Sequence, residues 1–229
     1  KLLGIESHPI MTDFIVPFCE QKVTILYADD DIVVADKPSG LLSVPGKNPL
    51  NKDCLITRMQ QQYPDARIVH RLDMDTSGVM VLARGKANLS ALSRQFQERQ
   101  TQKEYLAWVY GVLQDDEGEI NLPLRCDWPN RPKQIVDHDL GKPSVTHFEV
   151  LKRKPATLQT KVLLKPVTGR SHQLRVHMAE LGHPISGCEF YAHSEALEQA
   201  GRLQLHAWKL SFIHPSTGAL LTQIAPTVF

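Results

Sequence analysis

The stretch His70-Arg71-Leu72-Asp73-Met74-Asp75-Thr76-Ser77-Gly78 runs directly into the apolar segment Val79-Met80-Val81-Leu82-Ala83. A continuous apolar run of this length fits a buried strand, and the Thr-Ser-Gly before it fits a tight loop. The sequence therefore predicts a loop that holds the carboxylate of Asp73 at the start of a buried strand. A carboxylate fixed in this way suits a nucleophile or general base. An Asp beside a turn can also simply close the turn through its own backbone.

Short strands and helices alternate irregularly on both sides of this stretch. Apolar patterning predicts strands at 23–27, 32–35, 79–83, 103–112, 145–151, 158–164, 203–213 and 219–224, and helices at 53–63, 86–99 and 171–181. Because no regular strand–helix–strand repeat is present, this order favours an α+β fold over a doubly wound one. Residues 1–21 carry no clear period, and we expect them to form an N-terminal arm.

Composition excludes several classes of protein. The formal net charge of +1 argues against a tail-driven nucleic-acid binder, although a local basic groove remains open. The four cysteines form no Cys-x-x-Cys pair and the histidines lack zincin spacing, so we expect free thiols in a reducing cytoplasm and no metal site. No apolar run is long enough to cross a membrane.

Five further stretches extend the pattern around Asp73, and together they resemble the RluA family of pseudouridine synthases. The Asp73 loop resembles the family's catalytic loop. The other matches are Asp36–Pro45 to the KPxGxxV segment, Lys103–Ala107 to the lysine-x-tyrosine segment, Gly169–His177 to GRxHQxRxH, and Gly182–Gly187 to GxPIxG, where Cys188 replaces the Asp that follows in the family pattern. Cys126–Gln134 is similar to the branch that modifies large-subunit rRNA and the tRNA anticodon stem-loop.

The resemblance implies a central, largely antiparallel mixed sheet flanked by helices, with an active cleft across it. It implies one catalytic domain over residues 22–229, without an S4-type RNA-binding domain. The implied reaction cleaves the C1′–N1 glycosidic bond of a uridine in RNA, rotates the base and reattaches it through C5. We therefore expect a cytoplasmic monomer with an rRNA or tRNA stem-loop as its partner, no cofactor and no membrane.

The resemblance also assigns residues to this chemistry. Asp73 is the expected essential acid, attacking C1′ or assisting elimination through the sugar. Arg170 is expected to pair with Asp73 in bidentate geometry, which would explain an Arg rather than a Lys. Tyr105 is expected to stack on the uracil, with its hydroxyl where C5 deprotonation needs a base, and Leu174 to pack against the other face.

Two further groups are expected to contact RNA. Arg71 and His70 flank the catalytic loop and could contact the backbone or fill the space left by the extruded base. A hydrogen bond in the core or in the loop is an equally weighted role for His70. Trp128, Arg131 and Lys133 combine an aromatic ring with cations in a Pro-rich loop, which suits stacking and phosphate pairing. The alternative is a surface loop with Trp128 turned inward.

Two other functions are compatible with parts of this pattern. One is a non-catalytic RNA-binding module that retains the fold. The other is a sugar hydrolase that uses Asp73 and Asp75 as paired acids, which requires carboxylates on opposite faces of the bond. We interpret Asp75 instead as a solvated loop acid. The hydrolase leaves the other motifs unexplained.

Overall fold

The computed structural model describes residues 14–227 and 229. Twelve strands occur among them: β1 (Thr24–Ala28), β2 (Ile32–Lys37), β3 (Ala66–Ile68), β4 (Ser77–Arg84), β5 (Gln102–Tyr110), β6 (Glu117–Asn121), β7 (Leu124–Cys126), β8 (Gln134–Val136), β9 (Val145–Lys154), β10 (Gln159–Pro166), β11 (Leu205–Ile213) and β12 (Leu220–Ile224). The described α-helices are α1 (Leu55–Gln60), α2 (Gly85–Gln97), α3 (Gln173–Glu180) and α4 (Ser194–Glu198).

Ten of these strands form one mixed sheet in the order β1-β2-β4-β11-β5-β10-β9-β6, with β12 paired to β11 and β3 to β4. Every pairing is antiparallel except that of β4 with β11, at the centre of the sheet. Strands β7 and β8 form a separate antiparallel hairpin. The predicted α+β class, with a largely antiparallel mixed sheet, is therefore confirmed.

The parallel pairing depends on Gly78. Its φ angle is +121°, and a Cβ at this position would lie 2.2 Å from the carbonyl oxygen of Ala207. Only glycine therefore lets the start of β4 approach β11 this closely. Because the Asp73 loop leads directly into this strand, the approach fixes the loop against the middle of the sheet.

Two hydrophobic cores pack along the sheet. The first contains β2 and β4 with side chains of α1 and α2, and the second contains β5 and β10 with side chains of α3. Tyr105 on β5 packs against both cores. A side chain at this junction is held from two sides, so the centre of the sheet offers a rigid support for a site.

An N-terminal arm was predicted for residues 1–21, and residues 1–13 of it lie outside the described part of the chain. The chain from Phe14 to Val23 has no regular secondary structure, but it is bound to the sheet domain. Asn51 accepts a hydrogen bond from Val16 N at 2.9 Å and donates one to the carbonyl of Phe14 at 2.7 Å. Arg58 donates to the carbonyl of Cys19 at 2.6 Å.

Candidate active site

The loop that carries Asp73 is held by a buried lysine. Lys37 is fully buried, and its ammonium donates to the carbonyls of Pro38, Leu41 and Met74 at 3.0, 2.7 and 2.8 Å. Burial lowers the pKa of Lys37 to about 7, against the opposing effect of nearby carboxylates. Since three acceptors match the three protons of an ammonium group, Lys37 ties the catalytic loop to the segment that follows β2.

Two serines of the same segment complete this attachment. Ser43 Oγ donates to the carbonyl of Leu72 at 2.7 Å and accepts from the Leu72 amide at 3.2 Å. Ser39 Oγ donates to the carbonyl of Asp75 at 2.7 Å. The backbone on both sides of Asp73 is therefore saturated with hydrogen bonds, which leaves its side chain in a defined position.

The carboxylate of Asp73 faces two nitrogen groups from α3 and its N-terminal flank. Nη1 of Arg175 lies 3.5 Å from Oδ2 of Asp73, and Nε2 of His172 lies 3.8 Å from the same oxygen. The Arg175 side chain is 2% exposed and that of Asp73 is 29% exposed. An arginine buried this deeply requires a charge partner, and Asp73 supplies it.

The prediction that Arg170 pairs with Asp73 is wrong. The guanidinium of Arg170 lies at the rim, where Nε and Nη2 each donate to the carbonyl of Pro143 at 3.4 Å. Arg170 precedes α3, whereas Arg175 lies in the buried part of this helix and contacts Asp73 and the Cys188 sulfur. A charged residue inside a run of buried helical positions was the sequence signal for Arg175, because such a charge needs a partner.

His172 is the N-cap of α3, and it has a left-handed backbone conformation with φ of +54°. This conformation is uncommon outside glycine and costs about 1–3 kcal/mol. Burial lowers the pKa of the His172 imidazole, while Asp73 opposes this shift. The strained backbone places the imidazole beside the carboxylate, and the lowered pKa of the ring keeps it neutral.

A small pocket of about 100 Å³ brings together Asp73, Tyr105, Leu174 and Arg175. Tyr105 and Leu174 thus line the same space as the carboxylate, as predicted, although their roles toward a base stay predictions. Burial and the charge of Asp73 raise the pKa of Tyr105 above its usual value. The phenol is therefore protonated at neutral pH and does not act as a resting phenolate base.

This pocket opens into a cavity of about 880 Å³ with a basic lining. The cations along its wall are Arg71, Arg99, Lys103 and Arg170. Burial lowers the pKa of Lys103 to about 8, and Arg99 adds to this shift. The near-neutral chain therefore concentrates positive charge around one acid, which suits a polyanion with a reactive sugar.

His70 lines the larger cavity, and its ring is held inside the protein. Its Nε2 accepts a hydrogen bond from Val81 N at 3.1 Å, and its ring stacks on Phe96 at 4.4 Å. Burial lowers the pKa of His70 to about 3, so the ring is neutral and its acceptor nitrogen is used. The observed hydrogen bond, to the backbone of β4, agrees with the structural alternative for His70. Contact of His70 with RNA stays a prediction. Arg71 is exposed and lines the same cavity.

The predicted RNA-contact loop forms the hairpin of β7 and β8. Trp128 at its tip is 64% exposed, so the alternative that this ring is turned inward is wrong. The guanidinium of Arg131 lies 4.7 Å from the centroid of the Trp128 ring. Lys133 is partly buried, and its backbone carbonyl accepts a hydrogen bond from Asp127 N at 2.9 Å. Contact of these side chains with RNA stays a prediction.

The lining of both pockets weighs against the sugar hydrolase. Within the part of the chain that the structure describes, Asp73 is the one carboxylate residue that lines either pocket. Asp75 is not solvated as predicted, because it is partly buried and burial raises its pKa. A second acid on the opposite face of a bound sugar is therefore lacking in this lining.

The described residues that could ligate a metal together are Asp29, Asp31 and His214, which do not line either pocket. Their groups are already engaged: Asp29 Oδ2 accepts from Tyr27 Oη at 2.7 Å and from His214 Nε2 at 2.9 Å. This cluster serves as a structural hydrogen-bond network. Over residues 14–227, no helix combines the length and apolarity that a membrane span needs.

Comparisons with known proteins assign the class. The family model described as RNA pseudouridylate synthase matches residues 31–180, which include the Asp73 loop, Tyr105 and the start of α3. The human protein called RNA Pseudouridylate Synthase Domain Containing 1 has a similar structure, with a TM-score of 0.76 and 30% identity. That match covers 92% of this chain and 86% of the human one. The fold and the family model are thus those of an RNA pseudouridine synthase.

Bacterial relatives narrow this class. The dual-specificity RNA pseudouridine synthase RluA of Yersinia pestis is 56% identical over 194 residues, which are 85% of this chain and 94% of the relative. The protein of the same name from Escherichia coli strain K12 is 54% identical over 92% of this chain and 95% of its own length. This chain belongs to the RluA family of pseudouridine synthases, and it is an isomerase that converts uridine to pseudouridine in RNA.

Proposed function

We propose that this enzyme isomerises uridines in large-subunit rRNA and in the tRNA anticodon stem-loop, with Asp73 as the essential carboxylate. The observation that carries the assignment of Asp73 is its position in the pocket, with buried Arg175 at 3.5 Å and His172 at 3.8 Å. The names of the bacterial relatives support more than one RNA substrate, because they are called dual-specificity enzymes. The choice of rRNA and tRNA follows from the resemblance of Cys126–Gln134 to the branch that modifies those two RNAs.

The reaction rearranges bonds without adding atoms. The C1′–N1 bond of the target uridine breaks, the uracil rotates within the pocket, and a C1′–C5 bond forms. The hydrogen on C5 leaves as a proton, and N1 ends with a proton. Asp73 acts at the ribose, where its carboxylate attacks C1′ or assists elimination through the sugar. Arg175 orients the carboxylate and balances its charge throughout.

Tyr105 and Leu174 provide the walls for the freed uracil. The Tyr105 hydroxyl has no hydrogen-bond partner among the described residues, and its ring lines the pocket beside Asp73. Because its raised pKa keeps it protonated, the phenol stacks on the base and offers a hydrogen bond rather than a standing negative charge. Leu174 is 6% exposed and supplies an apolar surface that does not compete for the carbonyls of uracil.

The basic wall of the larger cavity receives the RNA backbone. A uridine inside a stem-loop must leave its stack to reach Asp73, at a cost of a few kcal/mol. Arg71, Arg99 and Arg170 are placed to pair with phosphates on either side of the extruded nucleotide. The exposed Trp128 with Arg131 above it offers a stacking platform for an unpaired loop base.

Mapping pseudouridines at nucleotide resolution in RNA from cells with and without the gene tests the substrate assignment. We expect at least one 23S rRNA site and one anticodon stem-loop site to lose the modification in the deletion strain. The wild-type gene should restore both sites, whereas the Asp73→Asn gene, expressed at the same level, should restore neither. Unchanged rRNA and tRNA sites in the deletion strain would contradict this assignment.

A further inference from the structure

Tyr191 lies between the β7–β8 hairpin and the active site. Its hydroxyl oxygen is 2.9 Å from the backbone nitrogen of Gln134 and 2.6 Å from Nδ1 of His172. Nε2 of the same imidazole lies 3.8 Å from Oδ2 of Asp73. Three successive contacts therefore connect the backbone of the hairpin with the catalytic carboxylate.

The partners determine the direction of each proton. A backbone N–H only donates, so the phenol oxygen of Tyr191 accepts from Gln134. Within the described residues the remaining partner of this hydroxyl is His172, so the arrangement that uses the hydroxyl proton inside the protein has it donated to Nδ1. Since burial keeps the imidazole neutral, the ring carries one proton, and that proton must be on Nε2.

We propose that Tyr191 is a positioning residue that fixes His172 in the Nε2–H tautomer and thereby directs an N–H group at Asp73. This inference rests on the proposed role of Asp73 as the catalytic carboxylate. At 3.8 Å the contact is longer than a hydrogen bond, and catalytic contacts commonly shorten only when substrate binds. With the other tautomer, the lone pair of Nε2 would face the carboxylate and repel it.

The surroundings of the imidazole support this role. Phe190 stacks on the His172 ring with centroids 5.6 Å apart and an interplanar angle of 15°. The left-handed backbone of His172 aims the ring between Tyr191 and Asp73 rather than into solvent. The two ring nitrogens of this strained residue face a hydroxyl and a carboxylate, so several contacts fix the position of the ring. A site that needs one tautomer requires a ring that is fixed in this way.

Nuclear magnetic resonance of the wild-type protein labelled with ¹⁵N-histidine tests the tautomer directly. The His172 signals are assigned by their loss in His172→Gln. We expect Nδ1 to show the shift of an unprotonated ring nitrogen and Nε2 that of a protonated one at neutral pH. A protonated Nδ1 would overturn the proposal. This measurement needs neither RNA nor turnover, so its failure is distinct from a failure of the proposed function.

Tyr191→Phe then tests whether the tautomer matters. The variant keeps the ring and removes only the hydroxyl, and Tyr110→Phe removes a hydroxyl that is bonded to Glu195 outside the pocket. We expect kcat to fall at least about tenfold in Tyr191→Phe, with unchanged RNA affinity and a mixture of His172 tautomers. Tyr110→Phe should keep wild-type kcat. A Tyr191→Phe variant with wild-type kcat would contradict the positioning role. The role would also be contradicted if the wild-type enzyme has the Nε2–H tautomer but the Asp73→Asn variant stays active.

Discussion

Nη1 of Arg175 lies 3.5 Å from Oδ2 of Asp73, and both side chains belong to the pocket that receives the base. The arginine comes from the first turn of α3, whereas the guanidinium of Arg170, five residues earlier, donates to the carbonyl of Pro143. The carboxylate thus comes from the β3–β4 loop, and its buried counter-charge comes from α3. The site is held by long-range packing rather than by a local sequence motif.

This pairing predicts different effects for two arginines of the same segment. Arg175→Lys should lower kcat by about 100-fold, because a lysine cannot place the rigid fork of donors on both Asp73 and the Cys188 sulfur. Arg170→Lys, the matched control, should keep kcat and change only the affinity for RNA. Single-turnover rates at saturating RNA separate the two effects. Equal losses in kcat would contradict the assignment of Arg175.

Cys188 should be required for the position of Arg175. Its buried Sγ accepts a hydrogen bond from Nε of Arg175 at 3.3 Å. Cys188→Ala leaves this donor unsatisfied, so we expect a loss of about 1–3 kcal/mol in the free energy of unfolding and a lower kcat. Cys188→Asp supplies a carboxylate acceptor and should restore both.

The control for this prediction is Cys54→Ala, which removes another buried thiol, at the N-cap of α1. We expect it to reduce stability without reducing kcat. Urea denaturation and single-turnover kinetics of the three variants make the comparison. A Cys188→Ala enzyme with wild-type kcat would show that Arg175 does not depend on the sulfur.

His70 should make the protein sensitive to acid. Burial lowers its folded pKa to about 3, whereas an unfolded histidine titrates near 6.5. Between these values the unfolded chain binds a proton that the folded chain does not, so stability falls as the pH falls. The expected slope is about 1.4 kcal/mol per pH unit, or roughly 2 to 3 kcal/mol from pH 6.5 to pH 4.5.

His70→Gln should remove most of this dependence, because an amide oxygen can still accept from Val81 N but does not titrate. His147→Gln, at a side chain that is 49% exposed, is the control and should leave the acid dependence unchanged. Denaturation curves at pH 6.5 and pH 4.5 provide the measurement. If the wild type and His70→Gln lose the same stability on acidification, His70 is not held neutral.

Trp128 should contribute to RNA affinity and not to folding. Its ring is 64% exposed and carries Arg131 above it, so removal creates no cavity but loses a stacking surface worth about 1–3 kcal/mol. We expect Trp128→Ala to raise Kd for a tRNA stem-loop about tenfold while kcat at saturation is kept. Leu140→Ala, at a 75% exposed apolar residue outside the hairpin, is the control. Equal affinities for Trp128→Ala and the wild type would exclude the stacking role.

The main strands and helices followed from the sequence because their apolar periods are strong. The run Val79–Ala83 lies within β4, and the predicted helices at 86–99 and 171–181 correspond to α2 and α3. Strands β3, β7 and β8 are three residues long and too short to carry a period, so sequence reasoning missed them. The helix α4 was also too short to show a period, and the strand β6 (Glu117–Asn121) is mostly polar, so both were missed.

The structure brings the central predicted site residues together, but it pairs Asp73 with Arg175 and not with the predicted Arg170. Asp73, Tyr105 and Leu174 line one pocket, as the resemblance implied. The choice between Arg170 and Arg175 depends on where α3 begins and on its burial, because Arg170 precedes the helix and Arg175 lies in its buried first turn. The left-handed backbone of His172 results from tertiary contacts, and no residue pattern predicted it.

The central claim is that Asp73 carries out the isomerisation. Tritium release from RNA labelled at C5 of uridine reports it directly, because the C5 hydrogen leaves when the carbon–carbon bond forms. The measurement compares the wild type, Asp73→Asn, and Asp75→Asn as the control acid of the same loop, after RNA affinity and unfolding curves have shown that all three bind and fold. We expect release by the wild type and by Asp75→Asn and none by Asp73→Asn. Release by Asp73→Asn at the wild-type rate would contradict the account.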